Sequence, residues 1–124
     1  MHALRHVHKL LVPQGTLVDL HPVTEEQVEA ADRTIVGVIE EPAFISVDLP
    51  NAEARVHEAI EDGLYALEAE TEFDFLQHYD EAEELIEASQ EHLAAQPSLV
   101  RQIRAATPPL VTRGHVVLRR LRAC

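Results

Sequence analysis

ALRHVHKLLVPQGTLVDLHP, residues 3–22, is the stretch from which the rest of the chain is read. Leu4, Val7, Leu10 and Leu11 recur at helical spacing. Pro13 ends the helix, because it has no N–H to donate and its ring disfavours helix in the residue before it. Gly15 follows, a residue able to take the positive φ that a tight turn needs. Thr16, Leu17, Val18, Asp19 and Leu20 then form a short β-branched and apolar run that Pro22 closes. The stretch predicts helix, turn and strand, which is a unit of an α/β sheet.

Working outward, the chain has 124 residues and reads as a single domain, 1–124. Hydrophobic residues make up 46% and aromatics only 4%, so the core must be aliphatic. No apolar run approaches membrane-spanning length, and the N-terminus has no long apolar segment before a small-residue cleavage site, so a soluble cytoplasmic protein without a membrane partner is expected. Cys124 is the one cysteine, which excludes an intrachain disulfide and a cysteine-based metal site. The formal net charge is -12, with every acidic residue between Asp19 and Glu91 and six arginines after position 100. Most of such a surface repels phosphate backbones and anionic lipid, so no nucleic-acid partner is expected.

Along the chain, Thr24 and Gln27 form a capping-box pattern that predicts a short helix to about Ala31. Thr34–Ile39 reads as a strand interrupted by Gly37, and Phe44–Val47 as a further strand. Pro50 and Asn51 open a helix with Ala52, Val56, Ala59 and Ile60 on one face, stopped by Gly63. From Leu64 to Tyr79 the period is two, with Tyr65, Leu67, Ala69, Thr71, Phe73 and Phe75 on one side and Glu68, Glu70, Glu72 and Asp74 on the other. That pattern predicts a long strand with one greasy and one acidic face. Asp80 is placed to cap a helix burying Ala82, Leu85, Ile86 and Leu93, and Pro97 separates it from a helix with Leu99, Val100 and Ile103. Leu110–Arg122 reads as a last strand. If it lies antiparallel to the acidic one, some of Arg113, Arg119, Arg120 and Arg122 face Glu68, Glu70, Glu72 or Asp74, and each opposite-charge pair contributes roughly 0.2–1 kcal/mol.

Lys9, Leu10 and Leu11 before the turn, with Pro13, Gln14 and Gly15 in it, resemble the late helix-turn-strand segment of class I S-adenosylmethionine-dependent methyltransferases. There a basic residue and leucine lead through Pro-Gly-Gly into the fifth strand, and Gln14 stands where the first glycine would be. The later order is also similar. Thr16–Leu20 corresponds to the fifth strand, Ala66–Tyr79 to the sixth, and Leu110–Arg122 to the seventh, which is antiparallel to its neighbours. Phe73, Asp74 and Phe75, followed by Tyr79, Asp80 and Glu81, resemble a run seen in a bacterial subgroup. The resemblance implies an α/β fold: the C-terminal part of a doubly wound methyltransferase-like sheet, with about three main strands, the last two antiparallel, and four or five helices.

The resemblance implies S-adenosylmethionine as cofactor, yet the family's glycine-rich loop cannot be built from glycines at 15, 37, 63 and 114. No cofactor-binding residue is therefore assigned, and the same spacing excludes a P-loop and a dinucleotide fingerprint. The expected function is that of a truncated methyltransferase, its substrate-side half, inactive alone. Its partner would be a missing N-terminal half, or a second copy joined through the Leu17–Leu20 edge. The alternative is a non-enzymatic module that pairs through that exposed edge. No catalytic residue is assigned. Asp19 and His21 flank the C-terminal end of the first strand, where α/β proteins place functional loops, and are the substrate-binding candidates. His2 and His6 stand one helical turn apart, but no nearby carboxylate completes a metal site, so none is assigned. Glu68, Glu70, Glu72 and Asp74 can be drawn as calcium ligands or an acid–base pair, but read first as a salt-bridged strand face. No nucleophile-elbow sequence is present, and Cys124 is not read as a nucleophile.

Overall fold

The computed structural model describes residues 2–124. Among them are five strands and five α-helices: α1 (His2–Leu10), β1 (Thr16–Pro22), β2 (Glu26–Glu29), β3 (Ile35–Ile39), α2 (Leu49–Glu61), β4 (Tyr65–Tyr79), α3 (Ala82–Ala88), α4 (Gln90–Leu93), α5 (Pro97–Ala105) and β5 (Leu110–Ala123). The chain is α/β, as expected, but with five strands rather than about three, all in antiparallel pairings around β5. β1, β2 and β4 each pair with β5, and β3 pairs with β2. The packing forms two compact units, one made of the chain up to His21, Ala43–Phe73 and Val116–Cys124, the other of Pro22–Pro42 and Asp74–His115.

In the first unit, Ala59, Tyr65, Leu121 and Ala123 form the core, and Leu4, Leu11, Leu17, Ile60 and Leu64 pack against it. The Tyr65 hydroxyl donates to the Leu4 carbonyl at 2.9 Å, so the buried phenol is satisfied. The Ala123 N–H donates to the Gly15 carbonyl at 2.8 Å, and the Cys124 N–H to Leu64 at 3.0 Å. The end of β5 is thereby set beside the start of β1 and the start of β4. The Pro-Gln-Gly turn divides its tasks unexpectedly. Gln14, not Gly15, takes the positive φ, at 70°. Gly15 is required for space, since a Cβ there would stand 2.9 Å from the Val12 carbonyl oxygen. Leu10, expected to face inward, is 73% exposed, while Leu4, Val7 and Leu11 are half-buried.

In the second unit, β2 and β3 pair from Glu26 opposite Ile39 to Glu29 opposite Ile35. β2 also pairs with β5, Gln27 opposite Arg113 and Val28 opposite Thr112. Val28, Ile39, Leu85, Leu93, Leu99, Ile103 and Leu110 form this unit's core. The helix expected from Thr24 is replaced by β2. The Thr24 hydroxyl accepts the His115 N–H at 2.9 Å instead of capping a helix. A strand there buries Val28, Glu29 and Ala30, and burial between two neighbours outweighs a local capping pattern.

Three more expectations are corrected. Phe44–Asp48 is a π-helical turn leading into α2 rather than a strand, and Ile45 and Val47 stay exposed. The residue before α3 is Glu81, with no side-chain cap bond, so Asp80 does not cap it. The helix also breaks at Ser89, where α4 begins. β4 has the length expected, but its greasy side is not covered: Tyr65 is buried, whereas Leu67, Phe73 and Phe75 are 40–50% exposed. Period-two alternation marks the strand. It does not guarantee a partner for the apolar face. No helix among the described residues is long and apolar enough to cross a membrane.

The turn is tested by two substitutions of opposite character. Gly15→Ala should lower stability in urea unfolding by about 1–3 kcal/mol, because the added methyl meets a backbone oxygen. Gln14→Gly should leave stability unchanged within about 1 kcal/mol, since relief of the left-handed backbone offsets the greater freedom of the unfolded chain.

Candidate functional site

β1 alternates exposed and half-buried residues along its whole length, which puts Leu17, Asp19 and His21 on the face turned toward α2. On that face the strand stops being a simple apolar layer and becomes an ionic cluster. His21 Nδ1 lies 3.0 Å from Asp19 Oδ2, and His21 Nε2 lies 2.6 Å from Glu53 Oε1 of α2. Arg119 of β5 enters from the other side. Its Nη2 donates to Glu53 Oε2 at 2.8 Å and its Nη1 to Glu53 Oε1 at 3.3 Å. It also reaches Asp19 at 3.5 Å and Glu70 of β4 at 3.4 Å. The Arg119 side chain is only 9% exposed, and His21 15%.

Five residues from four elements are thus tied together: Asp19 and His21 of β1, Glu53 of α2, Glu70 of β4 and Arg119 of β5. Burial pushes the Glu53 carboxyl up, but the hydrogen bonds from Arg119 and His21 outweigh it and hold the group below its ordinary range. Arg119 is the mirror case, since burial disfavours its charge while the Glu53 carboxylate more than compensates. Carboxylates only accept, so both His21 nitrogens donate only when the ring is an imidazolium. Both are engaged within the protein, and a substrate gains one only by displacing Asp19 or Glu53.

The two residues singled out from sequence, Asp19 and His21, are brought together. Glu53 and Arg119 are not among the site candidates that the sequence offers, and Glu70 is read there first as part of a salt-bridged strand face, as its contact with Arg119 has it. The Arg119–Glu70 contact belongs to the charge ladder anticipated between the last strand and the acidic one. Glu53 carried no signal, because nothing in a helical pattern tells which exposed carboxylate will meet a strand.

The second unit carries a related group. Arg113 donates to Glu29 at 2.7 Å and Asp74 at 2.9 Å, and His115 Nδ1 lies 3.0 Å from Asp74. Hydrogen bonds from His115 and Arg113 hold the Asp74 carboxyl below its usual range. Among the described residues, no group of three His, Cys, Asp or Glu side chains is arranged to hold a metal ion. The side chain of His2 lies outside the described residues, and His6 is exposed. Cys124 is a free, exposed thiol.

No family model matches the chain, and neither a curated protein nor a solved structure matches it.

Removing the buried cation leaves three carboxylates facing one another. Arg119→Met should cost about 3 kcal/mol or more in urea unfolding. Glu53 has a folded-state pKa below its unfolded value, so its contribution is present above the ordinary glutamate range and is lost as pH falls through the folded value. The stability difference between wild type and Glu53→Gln should therefore shrink as pH is lowered from about 6 to about 3. A difference constant across that range would show that Glu53 is not ionically held.

Proposed function

We propose that this chain is the substrate-side part of a class I S-adenosylmethionine-dependent methyltransferase, working with a cofactor-binding half that its own residues do not supply. One observation carries the reading: β5 runs antiparallel to β1 and also antiparallel to β4. Gly15 meets Ala123 and Leu64 meets Cys124 at one end, while Arg113 and His115 meet Asp74 farther along. A last strand antiparallel to both the first and the penultimate long strands is what the resemblance implies for the seventh, sixth and fifth strands. The Asp19–His21 pair at the end of β1 would then border the methyl-acceptor side.

The residues present do not fit the cofactor itself. A sulfonium nucleoside needs backbone approaching it through a glycine-rich turn at a strand end. Gly37 is filled from the other side by Leu99, 2.6 Å from where a Cβ would stand, and Gly114 lies within β5. No methyl-transfer step is therefore assigned to these side chains. Holding the methyl carbon in line with its acceptor belongs to the complete site.

A second reading, a non-enzymatic module that pairs through a sheet edge, is favoured by the position of β1. Among the described strands it pairs with β5 only. Light scattering separates this use of the edge from a solitary one, because a stable monomer at high concentration counts against self-pairing.

Titration calorimetry of the chain with S-adenosylmethionine should give no binding heat, and micromolar affinity would overturn the assignment of cofactor binding to another half. Sequencing the DNA immediately upstream of the Met1 codon tests the family itself. An in-frame strand followed by a glycine-rich turn is expected, and an unrelated gene there would defeat the proposal.

A further inference from the structure

We propose that β3 is a self-pairing edge onto which a second copy of this chain adds antiparallel, and that the side chain of Gln96 holds this edge closed. β3 ends the sheet path, since among the described strands it pairs with β2 only. Its outward side is turned to Gln96. There Gln96 Nε2 donates to the Val38 carbonyl at 2.9 Å, and Gln96 Oε1 accepts the Glu40 N–H at 2.8 Å. Backbone groups alternate sides along a strand, so the N–H and C=O of Val36 and Val38 are the ones an added strand would bond. Gln96 already takes one of them.

The sequence of the strand selects the occupant. Residues 35–39 are Ile-Val-Gly-Val-Ile, which reads the same in both directions. A two-fold axis through Gly37 therefore sets Ile35 opposite Ile39 of the second copy, and Val36 opposite Val38. Each of these pairs is β-branched on β-branched, the kind that stabilises a ladder, and Ile35 and Val38, 61% and 40% exposed, gain cover. The same axis makes Val36 and Val38, whose backbone groups point outward, a hydrogen-bonded pair, so side-chain and backbone registers agree. Arg33 flanks one end of the run and Glu40 the other, so opposite charges meet at both ends of the paired strands. An isologous contact requires such self-complementarity, and a partner of another sequence would give no reason for it.

An uncharged edge of β-branched residues invites strand addition unless something stands in its way. The Gln96 amide does so at Val38, by occupying the carbonyl and filling the place of the incoming strand. It is a single side chain rather than a strand, so the block is reversible. A cavity of about 390 Å³ bordered by Gly37, Val38, Gln96, Ser98 and Gln102 adjoins the amide and gives it room to swing aside. This inference is independent of the methyltransferase reading and of pairing through β1.

The test is sedimentation equilibrium of the full chain. Gln96→Ala should dimerise at least about tenfold more tightly than wild type, because wild type must first break the two Gln96 bonds. Gln96→Asn, too short by one methylene to hold both bonds, should do the same. Adding Val38→Lys should return the Gln96→Ala chain to a monomer, since lysine on an edge opposes strand addition. Hydrogen exchange should show the Val36 and Val38 amides gaining protection in the dimer. Gln96→Ala and Gln96→Asn chains that stay monomeric with unchanged circular dichroism overturn the proposal, as does a wild-type chain that dimerises as tightly as they do. A dimer that survives Val38→Lys, or that protects β1 instead of β3, overturns it too, because the contact then lies elsewhere.

Discussion

Arg119 is the constraint on which the first unit depends. A guanidinium nine-tenths buried is tolerated only when its donors are used, and here carboxylates come from β1, α2 and β4. Each of those carboxylates in turn needs the cation, because Asp19, Glu53 and Glu70 would otherwise face one another in a partly dry space. The cluster therefore acts as a registration device. Asp19 must stand opposite Arg119, which fixes the pairing of β1 with β5, and Glu53 must reach the same point, which fixes how α2 lies over that face. His21 extends the network by bridging Asp19 and Glu53.

Compared with β4, β5 is far more buried. Leu110, Thr112, Val117, Arg119 and Leu121 are buried along it, while most of β4 is exposed. The sheet's edges are also treated unequally. Beside β3, the Gln96 side chain donates to the Val38 carbonyl at 2.9 Å and accepts the Glu40 N–H at 2.8 Å, closing the strand much as another strand would. β1 has no comparable cover described for its outer side, and its exposed Val18 and Leu20 are the apolar residues nearest that edge.

The turn that opens the chain shows how a motif can be legible while its chemistry is not. Pro13, Gln14 and Gly15 were recognisable as a turn, and a glycine was the natural residue for the unusual backbone. The left-handed position falls instead on Gln14, and Gly15 is needed because the Val12 carbonyl comes close. Likewise Thr24 and Gln27 have the local chemistry of a helix start, but Val28 gains more by lying between β3 and β5. A capping pattern is worth about 1 kcal/mol, less than the burial of an aliphatic side chain.

The sequence by itself determined the α/β class, α2, α5, β1, β3, β4 and β5, and the general opposition of acidic β4 to arginine-rich β5, because periodicity, turn residues and charge segregation are local properties. It also pointed to Asp19 and His21 through their place at the end of a strand. Only the tertiary structure decided that residues 26–29 are a strand, that the apolar side of β4 lacks cover, and that Glu53 and Arg119 join Asp19 and His21. Each depends on which distant element arrives at a given face. Glu53 and Arg119 are 66 residues apart, and no local pattern encodes a contact made only when β5 and α2 close on β1.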